Sequence, residues 1–288
     1  MTERVHLFLA NSPRSNFVKK TIKASFEFYS HKLLRPYFQY QLSKRSHPLK
    51  YLFVLSPMRS GSSLLVHLLN SNSEIEGFGE SHCAYSNCQD LEHLIYRTAV
   101  IQNSFDFKNA SYVMDKIVRN HDISEEILKD KNTKFIFLLR DPEASFKSVA
   151  QLGKNYPLLQ EYNYFDHWFE YYQERLNFLQ KTAQTIDDKH RCLFIQYEAL
   201  LYQTEVSLQR FQSFLDTKTA FFEEYKVSKT TGSLRYGDPS NVLKSGKILR
   251  PQNTHKEHTH IFNQEEKELV YRTYQNCIDH LIEVAETC

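Results

Sequence analysis

From residue 51 onward the chain alternates short apolar runs with longer segments in which apolar residues recur every three or four positions. The runs 51–55, 112–118, 134–139 and 192–196 have the length and β-branched or aromatic content of strands, the second carrying Asp115 and Lys116 in its middle. The segments 62–70, 91–102, 142–152, 162–186, 204–215 and 264–286 have helical spacing. Strands alternating with helices predict an α/β fold, a three-layer α/β/α sandwich around a central parallel sheet. In such sheets ligands bind at the carboxyl ends of the strands, so the residues just after each strand are the candidates for function.

Ahead of the first strand, residues 16–42 lack glycine, are rich in Phe and Tyr, and predict an extra N-terminal helical arm broken or bent near Pro36. Residues 1–50 hold ten Lys or Arg against Glu3 and Glu27, so the arm is basic although the whole chain carries only +2. Such an arm packs its aromatics on the core with lysines outward, or lies on a membrane surface or an anionic substrate. With 288 residues, 41% of them apolar, the chain can bury one large core. Its longest apolar runs fall far short of the ~20 residues that span a bilayer, and the first residues lack the apolar core of a secretory signal. Five cysteines without a paired CxxC spacing indicate neither a disulfide framework nor a zinc ribbon. A soluble, cytoplasmic protein is the expectation. The small net charge argues against nucleic acid as a partner.

The chemistry concentrates in two places. In "SPMRSGSS", residues 56–63, the spacing of a nucleotide phosphate loop is kept at Gly61 and Ser63. Ser56 stands for its first glycine, and Ser62 stands where its lysine would be. Gly61 lets backbone approach an anion, the helix starting at Ser62 offers free N–H groups, and Arg59 supplies a cation from inside the loop. In "TKFIFLLRDPEASFKSVAQL" the strand is followed at once by Arg140, and Asp141 and Pro142 open a helix. Ser145 and Ser148 lie on one face of that helix, so Arg140 and Ser148 can converge on a second anion.

"PMRSGSSLL" together with "LLRDPEASFKSVAQL" resembles the sulfotransferases that use 3′-phosphoadenosine 5′-phosphosulfate. A third match is the strand ending in Tyr197 and Glu198 before a helix that closes with Phe214 and Leu215. The resemblance implies a P-loop-like fold and one sulfotransferase-type domain over 51–288, with residues 1–50 as the arm. It implies that Arg59, Ser60, Gly61, Ser62 and Ser63 hold the 5′ end of the nucleotide, that Arg140 and Ser148 hold its 3′-phosphate, and that Tyr197 lies near it. Lys244 and Lys247, in "LKSGKILR", partly echo the family's late basic loop over the 3′-phosphate.

One branch of that family takes its general base from a Lys-Thr-His strand end. Here Lys116 occupies the lysine place, Val118 stands where the histidine would be, and His121 comes three residues late. The other branch, which includes the tyrosylprotein sulfotransferases, uses a glutamate after the first helix, and Glu80 in "EGFGESH" has that spacing. Glu80 is the expected base, His121 second and His82 third. Sulfuryl transfer needs fixed cations and N–H donors on the leaving phosphate rather than a metal ion, which suits a loop with Arg59 and no lysine. The implied acceptor is a small-molecule, carbohydrate or lipid-like alcohol, phenol or amine. The rival readings are a nucleotide kinase, which Ser62 disfavours, and a non-catalytic module that binds the nucleotide. The aromatic stretch 155–172 suits a sugar or an aromatic ring but more simply reads as helix core, and His255, His258 and His260 read as a solvated cluster rather than a metal site.

Overall fold

The computed structural model describes residues 33–102, 105–155, 164–228, 231, 232, 238, 241–250 and 262–288, leaving aside the side chains of 153–155, 164–167 and 241. The chain divides into two units, Met1–Ser46 and His47–Cys288. In the first, residues 33–43 form a continuous helix through Pro36. The rest of the predicted arm helix, the middle of the 155–172 stretch and the histidines of 255–260 lie outside the described residues.

The second unit is built on six strands: β1 Lys50–Leu55, β2 Ile75–Glu76, β3 Tyr112–Ile117, β4 Thr133–Leu139, β5 Cys192–Gln196 and β6 Glu286–Thr287. Their order is β2-β3-β1-β4-β5-β6, and every neighbouring pair is parallel. Both faces are buried, as a parallel sheet requires. One face presents Leu52, Val54, Met114, Ile136, Leu138 and Ile195 to a core shared with the helices Ser62–Asn70 and Thr204–Leu215. The other presents Phe53, Phe135 and Phe137, all fully buried, with Phe135 stacked on Phe53. The helices Cys88–Gln102, Glu125–Lys129 and Gln264–Val284 contact β3, β4 and β5. The α/β sandwich expected from the alternation is therefore the fold.

Two predicted boundaries need correction. The last helix ends at Val284, and Glu286–Thr287 leaves it to pair with β5 at the sheet edge. The strand predicted over 112–118 ends at Ile117, so Val118 lies past it, its carbonyl accepting from the Tyr171 hydroxyl. β2 and β6, two residues each, are too short for any periodicity to announce.

Candidate active site

The loop leaving β1 is shaped by left-handed backbone. Arg59 has φ 64° and Gly61 φ 88°, and Gly61 opens the helix Ser62–Asn70 without any side-chain cap on its first amides. A non-glycine residue in this region is uncommon and marks a site under constraint. A Cβ on Gly61 would meet ring atoms of Tyr197 at 2.1 and 2.3 Å, so only glycine lets that ring close over the loop. The loop is braced from beneath: the Ser60 hydroxyl donates to the Pro57 carbonyl at 2.7 Å, and the Met58 N–H donates to Tyr171 Oη at 2.9 Å. Uncapped N–H groups at a helix start, with a glycine at the close approach, make an anion cradle.

On the β4 and β5 side of the loop, the predicted 3′-phosphate residues come together with it. Arg59 Nε donates to Ser148 Oγ at 3.0 Å, and Arg140 Nη1 donates to the Arg59 carbonyl at 3.1 Å. The Arg140 guanidinium lies 4.5 Å from the Tyr197 ring centre. Its Nε is buried and has no partner among the described residues, a donor left over for a ligand. Burial, opposed by the nearby Arg140 charge, pushes the Tyr197 phenol up, so it stays protonated. Ser145, paired with Ser148 in the sequence pattern, is fully buried, and its hydroxyl has no partner among the described residues, whereas Ser148 reaches Arg59. A second Arg59 nitrogen, Nη1, pairs with Asp238 at 3.1 Å.

On the β3 and β2 side stands a second constellation. Lys116 is almost fully buried, and its Nζ lies 2.9 Å from Glu80 Oε1 and 3.1 Å from Ser63 Oγ. His82 Nδ1 is 3.9 Å from Glu80 Oε2. Ser63 Oγ also accepts from the Asp238 N–H at 3.1 Å. A cleft opens here, lined by Ser63, His67, Phe78, Gly79, Lys116 and Leu243 among others. His121 is exposed beyond β3, with its backbone N–H on the Arg119 carbonyl, and is not among the residues that line the cleft.

Lys244 belongs to a short 3₁₀ helix, Asn241–Ser245, and Lys247 forms an isolated antiparallel bridge with Glu224. Both are exposed, and among the described residues no hydrogen bond or ion pair joins either side chain to the β1 loop or to Arg140.

Two contributors are given no role by the sequence. Lys116 shows there as a charge interrupting an apolar run and as the residue in the family's lysine place, without its contact to Glu80. Arg175 gives no signal there. It is fully buried and donates to the carbonyls of Ser56, Ile117 and Arg119 at 3.1, 2.6 and 2.7 Å, tying the ends of β1 and β3 together. Burial pulls its pKa down to about 10, which still leaves it charged.

A parallel α/β sheet whose first loop leaves uncapped amides at a helix start, with cations converging from the neighbouring strands, is the architecture of the phosphate-loop class. Comparison of families narrows it: the sulfotransferase domain profile matches residues 49–273. The chain belongs to the sulfotransferase domain family. Among solved structures it is similar to a sulfotransferase domain from the curacin biosynthetic pathway, at 18% identity over 80% of this chain and 99% of that one, with a TM-score of 0.47. It is also similar to mouse sulfotransferase SULT7A1 complexed with PAP, at 13% identity over 84% and 88% of the two chains and a TM-score of 0.45. Comparison with curated protein sequences finds no match.

Proposed function

We propose that this protein moves the sulfuryl group of 3′-phosphoadenosine 5′-phosphosulfate to a hydroxyl or amine of a small-molecule, carbohydrate or lipid-like acceptor, without a metal ion and with Glu80 as general base. The observation that carries the reading is how the loop replaces its missing lysine. The cation absent at Ser62 is supplied from β3 by Lys116, 3.1 Å from Ser63 Oγ, and from within the loop by Arg59. Two cations and the uncapped amides then face one anion, which is what a phosphate leaving group needs.

The donor supplies an activated sulfur whose bond to the 5′-phosphate oxygen breaks as the acceptor oxygen or nitrogen bonds to it. Arg140, with its orphaned Nε, and Ser148 suit the nucleotide's second phosphate, and the Tyr197 ring suits its base or ribose. Strand order separates the two halves of the task. Nucleotide-holding residues come from β4 and β5, while Glu80 and Lys116 come from the β2 and β3 side, where the cleft opens. An acceptor in that cleft would approach in line across Ser63. Lys116 fixes Glu80 Oε1 and leaves Oε2 to take the acceptor proton. His121 is exposed, and among the described residues no hydrogen bond or ion pair joins it to that pair, which makes it the weaker candidate.

Substituting the base tests the reading. Glu80→Gln should lower kcat by about 10²–10⁴-fold, the usual weight of a positioned general base, while calorimetry shows 3′-phosphoadenosine 5′-phosphate still bound. His121→Ala should stay within about twofold. Full turnover in Glu80→Gln, or its loss in His121→Ala alone, would move the base to the histidine.

A further inference from the structure

We infer that Asp115 is a positioning residue for the transfer: its buried carboxylate clamps the turn Gly79–Ser81 against β3 and thereby aims Glu80 at Lys116. The inference rests on the reading of Glu80 as base. Among the described residues no hydrogen bond joins Asp115 to Glu80; it acts through the neighbouring Ser81.

Four donors converge on Asp115, which is fully buried: the Ser81 N–H at 2.8 Å and the Lys116 N–H at 2.9 Å on Oδ1, and the Ser81 and Tyr85 hydroxyls, each at 2.5 Å, on Oδ2. The Lys116 N–H also reaches the Gly79 carbonyl at 3.2 Å. Tyr85 is itself fixed, its ring edge-on to Phe53 with centroids 4.7 Å apart and its carbonyl accepting from the Ser124 N–H at 2.8 Å. The clamped segment needs holding, because Gly79 and His82 on either side of Glu80 and Ser81 both lie in the left-handed region, at φ 111° and 55°.

Register explains why one strand can do both jobs. Asp115 pairs with Phe53 and Lys116 with Val54, so their side chains leave β3 on opposite faces. Asp115 holds the backbone beside Glu80, and Lys116 holds its carboxylate. A purely structural role calls for any residue that fills the space. This one instead places a carboxylate, whose four acceptor sites match four donors, where burial makes the charge costly. Burial pushes the Asp115 carboxyl up, and the hydrogen bonds from Ser81 and Tyr85 draw it back.

The test uses the full chain and Asp115→Asn, which keeps the volume but offers one acceptor oxygen instead of two. Hydrogen exchange followed by mass spectrometry should show the peptide over residues 77–87 exchanging at least about tenfold faster while β1 and β4 are unchanged. Turnover, read as 3′-phosphoadenosine 5′-phosphate released with 4-nitrophenol as surrogate acceptor, should fall at least about tenfold, because a small misplacement of a reacting group is costly. The KM for the phosphosulfate should stay within about twofold. Made in a Glu80→Gln background, the same substitution should cost nothing further. Tyr85→Phe, which removes one donor and leaves the fold, should repeat the pattern more weakly. Unchanged exchange over 77–87, or losses that add fully to those of Glu80→Gln, would overturn the inference. A wild-type protein that neither binds nor consumes the nucleotide would overturn the proposed function instead, and the exchange result would still decide whether Asp115 clamps the turn.

Discussion

Individual residues divide into those whose chemistry shows in the sequence and those whose chemistry depends on a fold. Gly61, Arg59, Arg140 and Ser148 could be singled out because each sits at a fixed distance from a strand end, where a backbone conformation or a helix start dictates the residue type, and the structure brings them together. Lys116 was only half legible. Its contact with Glu80 spans 36 positions of chain, and Asp238 reaches Arg59 across 179, separations that no local pattern records. His67 is a similar case. Its Nδ1 lies 2.7 Å from the Ser63 carbonyl, so Nδ1 carries the proton, and Nε2, 2.7 Å from Thr231 Oγ1, accepts from that hydroxyl. Burial lowers its pKa below the ordinary 6.5, a shift opposed by the bond to Ser63. The folded state therefore resists a proton that the unfolded chain accepts. Stability should be level above pH 6.5 and fall as pH drops below it, by at most about 1.4 kcal/mol per pH unit and less given the ring's partial exposure. Urea midpoints at pH 7.5 and 5.5 measure it: the decline should be smaller in His67→Gln, and an equal decline in both proteins would assign it elsewhere.

Among the elements, those that both carry a period and bury it were read correctly. The helices Ser62–Asn70 and Thr204–Leu215 and strand β5 match their predicted bounds, because each buries a regular apolar set beneath or within the sheet. Elements that depend on a neighbour were missed. β2 and β6 exist only as short pairings to β3 and β5, and Tyr197–Tyr202 is a helix of six residues whose Leu200 and Leu201 pack into the shared core. The helix Tyr164–Ile186 was found, but its role was not. Through Tyr171 and Arg175 it secures the loops after β1 and β3. Replacing Arg175 by Leu would leave the carbonyls of Ser56, Ile117 and Arg119 without that donor in a buried place. At about 1–3 kcal/mol for each unsatisfied group, the loss should reach roughly 3 kcal/mol or more. That corresponds to a drop in Tm of roughly 10 °C for a chain of this size. Scanning calorimetry would show it, and a loss below about 1 kcal/mol would mean that these carbonyls find other partners.

Across the whole molecule, the six-strand order does what no single motif can. β1 lies between β3 and β4, so its loop stands between the Arg140–Ser148 group and the Glu80–Lys116 group. Each strand end contributes one kind of group: amides and Arg59 from β1, Lys116 from β3, Arg140 from β4 and Tyr197 from β5. The fold class was legible because it follows from alternation, and the grouping of Arg59, Arg140 and Ser148 because those residues stand at or near strand ends. The cleft beside Lys116 was not, since it is assembled from the helix after β1, residues 77–79, Lys116 and the chain beyond residue 225.

If the function is as proposed, the β1 loop and Arg140 together hold a bisphosphorylated nucleotide. Isothermal calorimetry with 3′-phosphoadenosine 5′-phosphate and with Mg-ATP, on the wild type and on Arg140→Ala, tests it most directly. The bisphosphate should bind tightly, at least about tenfold more weakly in Arg140→Ala through the loss of charge-assisted bonds, and Mg-ATP should bind little. Preference for Mg-ATP, or bisphosphate affinity indifferent to Arg140, would contradict the proposal.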